Sequence, residues 1–183
     1  MLGLLPVMGG AAQDLAAQDV GAQGVARAGG PSPLELRLRA GGGADGVGSP
    51  NVHGWGAAEA LLMRNWLGMG VRAELGTGAG FRSVVLAGSL VADLLQVGPV
   101  ASEAHGGIVY YREEQIRTGA RRSQTAPRAG LALRLPLGPG EVVLDGSVWR
   151  GTVQGDGIQV EEARWTRRFM LGYGVTTTLG GGS

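Results

Sequence analysis

Between Pro127 and Arg150 the chain alternates apolar side chains with small or polar ones, twice over. Ala129, Leu131, Leu133, Leu135 and Leu137 share one face of an extended segment, opposite Arg128, Gly130, Ala132, Arg134 and Pro136. Gly138-Pro139-Gly140 breaks the run, after which Val142, Leu144, Gly146 and Val148 alternate with Val143, Asp145, Ser147 and Trp149. This pattern predicts an antiparallel hairpin with one apolar face. The other face carries Arg134 and Asp145.

The same period divides the rest of the chain into six further strands. The first spans Pro33 to Ala40, with Leu34, Leu36, Leu38 and Ala40 opposite Glu35, Arg37 and Arg39. The second runs from about Gly54 to Met63, with Glu59 on its polar face and Ala58, Ala60 and Leu62 on the other. The third, Trp66 to Leu75, sets Leu67, Met69, Val71, Ala73 and Leu75 against Gly68, Gly70, Arg72 and Glu74. In the fourth, Phe81 to Leu95, Val84, Leu86, Gly88, Leu90, Ala92 and Leu94 oppose Ser83, Val85, Ala87, Ser89, Val91 and Asp93. Its middle is apolar on both sides, so a buried helix is the competing assignment there. The fifth, Val100 to Arg117, has Ala104, Gly106, Ile108 and Tyr110 facing away from Glu103, His105, Val109, Tyr111, Glu113, Gln115 and Arg117. The hairpin supplies strands six and seven. The eighth, Ala163 to Leu179, sets Trp165, Phe169, Leu171, Tyr173 and Val175 against Arg164, Thr166, Arg168, Gly172, Gly174 and Thr176.

The connections fall into two classes. Arg64-Asn65, Val97 to Pro99 and Gly138 to Gly140 are short turns, whereas 41–53, 118–126 and 151–162 read as longer polar or glycine-rich loops. Only the short Gly76 to Gly80 departs from this alternation. An up-and-down barrel in an asymmetric membrane has such a distribution, with short turns on the periplasmic side and longer loops outside.

Composition removes several function classes. The 183 residues carry a formal charge of +1, far from the strongly basic balance of a nucleic-acid-binding domain. All basic residues are arginine. With Cys 0 there are no disulfides and no thiolate metal sites. The 36 glycines lack the triplet period of collagen and sit in turns and strands. Residues 1–12, MLGLLPVMGGAA, have a short apolar run followed by small residues, so they read as the remnant of a signal peptide cleaved before Gln13, although a basic leading segment is missing. Residues 13–32 read as a flexible arm, 33–179 as the barrel and 180–183 as a flexible tail. No apolar run reaches the ~18 residues of a spanning helix.

The strand count, the alternation and the turn asymmetry together resemble the small eight-stranded outer-membrane β-barrels of Gram-negative bacteria. The resemblance covers about 33–179 and rests on pattern, with no shared motif. It implies an all-β, antiparallel, up-and-down transmembrane barrel whose apolar rows meet lipid: Leu67, Met69, Val71, Leu86, Leu90, Leu131, Leu133, Leu135, Leu144, Phe169, Leu171 and Tyr173. Two departures stand out. The last strand ends in Thr176-Thr177-Thr178-Leu179 rather than an aromatic residue, and the aromatic content is only 5%. The girdle would consist of Trp66, Tyr110, Trp165, Phe169 and Tyr173.

The polar rows carry both signs of charge. An eight-stranded barrel has room inside only for side chains, so Glu35, Arg37, Arg39, Glu59, Arg72, Glu74, Asp93, Glu103, Glu113, Arg134, Asp145, Arg164 and Arg168 are expected to form a network across the lumen. Arg117 and Arg128 lie on the same polar rows. A soluble barrel or sandwich would place these charges in water instead, where each pair is worth only ~0–1 kcal/mol.

Candidate chemistry is sparse. His53 and His105 are the only histidines, too few for a multi-histidine metal site. Glu103 and His105, two apart on one face, could orient one another as in a hydrolase, but no G-x-S-x-G elbow supplies a nucleophile. The glycine runs Gly41-Gly42-Gly43 and Gly76 to Gly80 lack the lysine of a phosphate loop and read as turns. The expectation is therefore a non-enzymatic outer-membrane barrel, monomeric and without cofactor, metal or nucleic-acid partner. Its contacts would be membrane lipid and a surface ligand held by 41–53, 118–126 and 151–162. The alternatives are a secreted soluble barrel binding a small apolar ligand, and a lipid-modifying outer-membrane enzyme.

Overall fold

The computed structural model describes residues 33–45, 53–78, 80–152, 154–155 and 163–179; the side chains of Asp45 and Arg164 are not among those described. The segments 1–12, 13–32 and 180–183 therefore lie outside the described residues. The strands are β1 (Leu34–Asp45), β2 (His53–Arg64), β3 (Leu67–Gly78), β4 (Phe81–Val97), β5 (Val100–Gln115), β6 (Arg121–Leu137), β7 (Gly140–Thr152), the two-residue β8 (Gln154–Gly155) and β9 (Ala163–Leu179). Each long strand pairs antiparallel with its chain neighbours, β7 pairs with β9, and β9 returns to β1 from Leu34↔Leu179 to Gly42↔Leu171. With β5 also joined to β6, the sheet closes on itself and no long strand is left with a free edge. The fold is a closed antiparallel barrel of eight long strands, extended at one rim by β8 pairing with Arg122 and Ser123.

The three short turns are tight because their residues accept a left-handed backbone. Asn65 has φ 59°, Gly98 φ 57° and Gly138 φ 62°, the conformation that short hairpin turns demand. These three turns, together with the start of β1 and the end of β9, define the short-turn rim. The strand ends Asp45, His53, Gly78, Phe81, Gln115, Arg121, Thr152 and Ala163 lie at the opposite rim.

Several boundaries differ from the sequence reading. Residues 41–45 continue β1, residues 121–126 begin β6, and 151–152 and 154–155 are strand, so much of the three expected loops is sheet. Backbone pairing accounts for this: Arg121 to Ala126 hydrogen-bond in register with Val109 to Glu114, a ladder that needs no apolar pattern. Glycines 41–43 stay extended because they leave room for their neighbours. A Cβ on Gly43 would lie 2.8 Å from the Trp55 ring. Arg117, expected on β5, is exposed in the turn after it. The fourth segment is a strand throughout, not a helix, with one irregularity between Asp93 and Leu95.

Candidate functional site: the barrel interior and its outer face

Closure turns one face of every strand inward. The inward rows of β1, β3, β5, β6, β7 and β9 bring Arg37, Arg39, Arg72, Glu74, Glu103, Arg128, Asp145 and Arg168 into the barrel, all buried. Large apolar side chains stand on the opposite face.

Toward the short-turn rim the charges centre on Glu103, only 1% exposed. Its carboxylate accepts from Arg39 Nη1 and Nη2 at 2.6 and 2.7 Å, and it lies 3.2 Å from Arg134 Nε and 3.6 Å from Arg37 Nη1. Arg37 donates to both oxygens of Asp93 at 2.9 and 2.8 Å and to Glu35 at 3.2 Å. Arg134 donates to Asp93 at 2.8 Å and to Glu141 at 3.2 Å. Glu59 stands 3.5 Å from Arg39. Leu61, Met63 and Val91 pack together as an apolar patch at this level.

A second cluster lies at mid-barrel. Arg72 contacts Asp145 and, through Nε, Glu74, each at 2.8 Å. His105 Nε2 lies 2.7 Å from the second oxygen of Asp145, Arg128 Nη2 is 3.7 Å from the first, and Arg168 pairs with Glu74. Above it the interior becomes aromatic. The Arg168 guanidinium stacks 5.0 Å from the Trp55 ring centre and 5.8 Å from those of Trp149 and Tyr111, beside the apolar cluster of Val85, Ala87, Val109, Ala126 and Trp149. Gln124 is buried here and donates to the Gly151 carbonyl at 2.5 Å.

Of the charged residues expected inside, Glu35 and Glu113 sit at opposite rims, Glu113 with Arg122 at 3.1 Å. The Arg164 side chain lies outside the described residues, and the others take part in the two clusters. Arg134 and Asp145 share a hairpin face but not a contact: Arg134 joins the lower cluster and Asp145 the middle one. Glu103 and His105 do not orient one another, since Glu103 is held by arginines and His105 by Asp145. The expected network omitted His105 and Glu141, although each has the inward parity of its strand, while Arg128, expected on the polar row, joins the middle cluster.

All of the expected outer apolar residues are on the outside and exposed, Leu67, Met69, Val71, Leu86, Leu90, Leu131, Leu133, Leu135, Leu144, Phe169, Leu171 and Tyr173 alike. Trp66 and Tyr173 mark the short-turn end of this belt, and Tyr110 and Trp165 the other. Tyr173 Oη donates to the Leu137 carbonyl at 2.9 Å. Trp55 and Trp149 instead point inward. Among the described strand residues, outward charges are confined to the ends of the belt: Arg64 at one, and Arg82, Arg112, Glu114, Arg121, Arg150 and Arg167 at the other.

No protein-family model matches the sequence, and no curated protein does. Solved structures do match in fold. The N-terminal β-barrel domain of Pseudomonas aeruginosa OprF superposes with a TM-score of 0.55 at 9% identity, covering 80% of this chain and 98% of that one. A major outer membrane protein from Thermus thermophilus gives 0.52 at 16% identity, over 79% and 99% of the two chains. Neisserial surface protein A (NspA) gives 0.51 at 16% identity, over 82% and 100%.

Proposed function

We propose that the protein is an integral outer-membrane β-barrel whose lumen is closed by its own side chains, and that it serves a structural or surface-interaction role without catalysis. The observation that carries this reading is the inversion of the two faces: charged side chains are buried inside while leucines, valines and aromatics are exposed outside. Water penalises that arrangement and a bilayer rewards it. A soluble barrel holding an apolar ligand requires the opposite one. Every long strand has at least the 12 residues of β1, β2 and β3. Twelve residues at about 3.3 Å each, tilted by about 45°, rise roughly 28 Å, enough for the ~25 Å apolar band of such barrels. The similar folds of outer membrane proteins agree with this reading.

The closed-lumen part rests on the cross-barrel pairs. Arg39 to Glu103, Arg72 to Asp145 and Arg168 to Glu74 each join strands that are not neighbours and occupy the space a diffusion path would need. The non-catalytic part rests on His105, which Asp145 holds, and on the burial of Ser83: its hydroxyl meets His53 Nε2 at 2.9 Å, but at 3% exposure it has no open face for a substrate.

The test is recovery and migration. The expressed chain should partition with outer membranes, require detergent for extraction, and migrate differently on a gel before and after boiling; recovery in a detergent-free soluble fraction would refute the membrane reading. Planar bilayers holding the folded protein should show no steady conductance. Stable open-channel steps would refute the closed lumen.

A further inference from the structure

Two clefts on the outside of the barrel meet at Tyr110. One is an apolar groove of about 730 Å³ on the belt, lined on its outward side by Leu38, Val71, Leu86 and Ile108, with Ala58, Ala60, Ala73 and Gly88 as its floor. The small floor residues make the groove, because the neighbouring branched side chains stand up on either side. The other is a polar cleft of about 400 Å³ at the long-loop rim, lined by Tyr110, Arg112, Arg121, Arg122, Ser123, Gln154 and Gly155. Both volumes lie in the range of specific ligand sites, ~300–1,000 Å³.

The upper cleft has three arginines in its lining and no carboxylate. Arg112 has no ion pair or hydrogen-bond partner among the described residues. Arg121 is 3.6 Å from Glu114, an exposed and long contact, while Arg122 is engaged by Glu113. Arg82 lies on the next strand, its Cα opposite Glu114. Unpaired Arg112 beside Arg121 and Arg122, with a hydroxyl and an amide in the same cleft, offers more donors than the two oxygens of a carboxylate can take up, and the several oxygens of a phosphate match that number. Tyr110, which joins an apolar ring to a hydroxyl, lines both clefts and suits the boundary between them.

We propose that the barrel carries a specific site for a phosphate-bearing lipid, its acyl chain in the groove and its phosphate in the arginine cleft. This rests on the membrane reading above and adds a ligand class to it. A second copy of the chain is the weaker occupant. In one membrane both copies point the same way, so the level that carries Arg82, Arg112, Arg121, Arg150 and Arg167 against the single carboxylate of Glu114 would face its like. A phosphate neutralises that level instead.

The test uses the full chain folded in nonionic detergent, with native mass spectrometry reading retention of three probes: dioleoyl phosphatidic acid, dioleoylglycerol and inorganic phosphate. Phosphatidic acid should bind at least about tenfold more tightly than dioleoylglycerol, the factor that one modest charge-assisted contact supplies, and inorganic phosphate should compete weakly. R112Q/R121Q should erase the preference between the two lipids. G88L should weaken phosphatidic acid by blocking the groove; a Cβ at Gly88 meets nothing within 4 Å, so the barrel accommodates it. Heat-modifiable migration confirms that each variant is folded. Equal binding of the two lipids by a folded, membrane-recovered barrel would overturn the lipid site alone. Full competition by inorganic phosphate would make it a free-anion site and overturn the proposal, and a change of oligomeric state in G88L with lipid binding unaltered would assign the groove to a second copy. A chain recovered without membranes would overturn both readings.

Discussion

Replacing Glu103 by leucine tests the interior most sharply, because one carboxylate holds three guanidinium groups. It accepts two bonds from Arg39 and stands within 3.6 Å of Arg37 and Arg134. In Glu103→Leu, Arg37 keeps Asp93, and Arg134 keeps Asp93 and Glu141. Arg39 is left with Glu59 at 3.5 Å and Glu141 at 3.6 Å. Stranding a buried charge costs ~3–5 kcal/mol, and these residual contacts put the expected loss near the lower end. The assay is denaturant unfolding from lipid vesicles, followed by tryptophan fluorescence, with Glu114→Gln as the exposed reference. That reference should lose no more than ~1 kcal/mol. The double variant Arg39→Met/Glu103→Leu, which removes the stranded partner, should be less destabilised than Glu103→Leu alone. If Glu103→Leu cost no more than Glu114→Gln, the interior charges would be solvated and the closed lumen refuted.

Other expectations follow from the same geometry. Arg134→Ala should lower the unfolding midpoint far more than Arg121→Ala, since Arg134 bridges Asp93, Glu103 and Glu141 while Arg121 has one exposed contact at 3.6 Å; equal midpoints would contradict it. Leu133→Arg, on the belt, should cost ~2–4 kcal/mol in vesicles and Thr125→Arg, near the belt's upper end, ~0–1 kcal/mol, with equal tolerance contradicting a lipid-facing belt. Gly130→Ala should destabilise more than Gly106→Ala in the same unfolding assay. Its Cβ would collide with the His105 ring and stand 2.5 Å from the Gly146 carbonyl, whereas the one at Gly106 has no contact nearer than 3.8 Å.

Much of the barrel was legible in the sequence because inside and outside have opposite chemistry. The alternation in β3 and β6 assigned the face of Leu67 to Leu75 and of Ala129 to Leu137, and Ala163 to Leu179 was bounded correctly as β9. What alternation does not encode is pairing at a rim. Arg121 to Ala126 has no apolar row, so it reads as a loop, yet its backbone continues the ladder with β5. Gln124, loop-like by sequence, is consequently buried. Glycines 41–43 mislead for a related reason: they are extended because Trp55 and the β9 backbone need the space. The partners of the interior charges were hidden as well. Sign and face follow from spacing, but whether Arg134 meets Asp145 or Asp93 depends on how far the register has shifted around the closed sheet. Parity alone would have added His105 and Glu141 to the set.

In a membrane-embedded barrel Ala129, Leu131, Leu133 and Leu135 face lipid while Gly130, Ala132 and Arg134 face a packed interior. With Cys 0 in the native chain, single cysteines at each position from 128 to 136 can carry a spin label without background. The measurement is the accessibility of each label, in vesicles, to oxygen and to a water-soluble nickel complex. A period of two is expected, with oxygen accessibility high at 129, 131, 133 and 135 and both reagents excluded at 130 and 132. Nickel accessibility at 131 and 133 equal to that of a label at exposed Thr118, or no alternation at all, would contradict it.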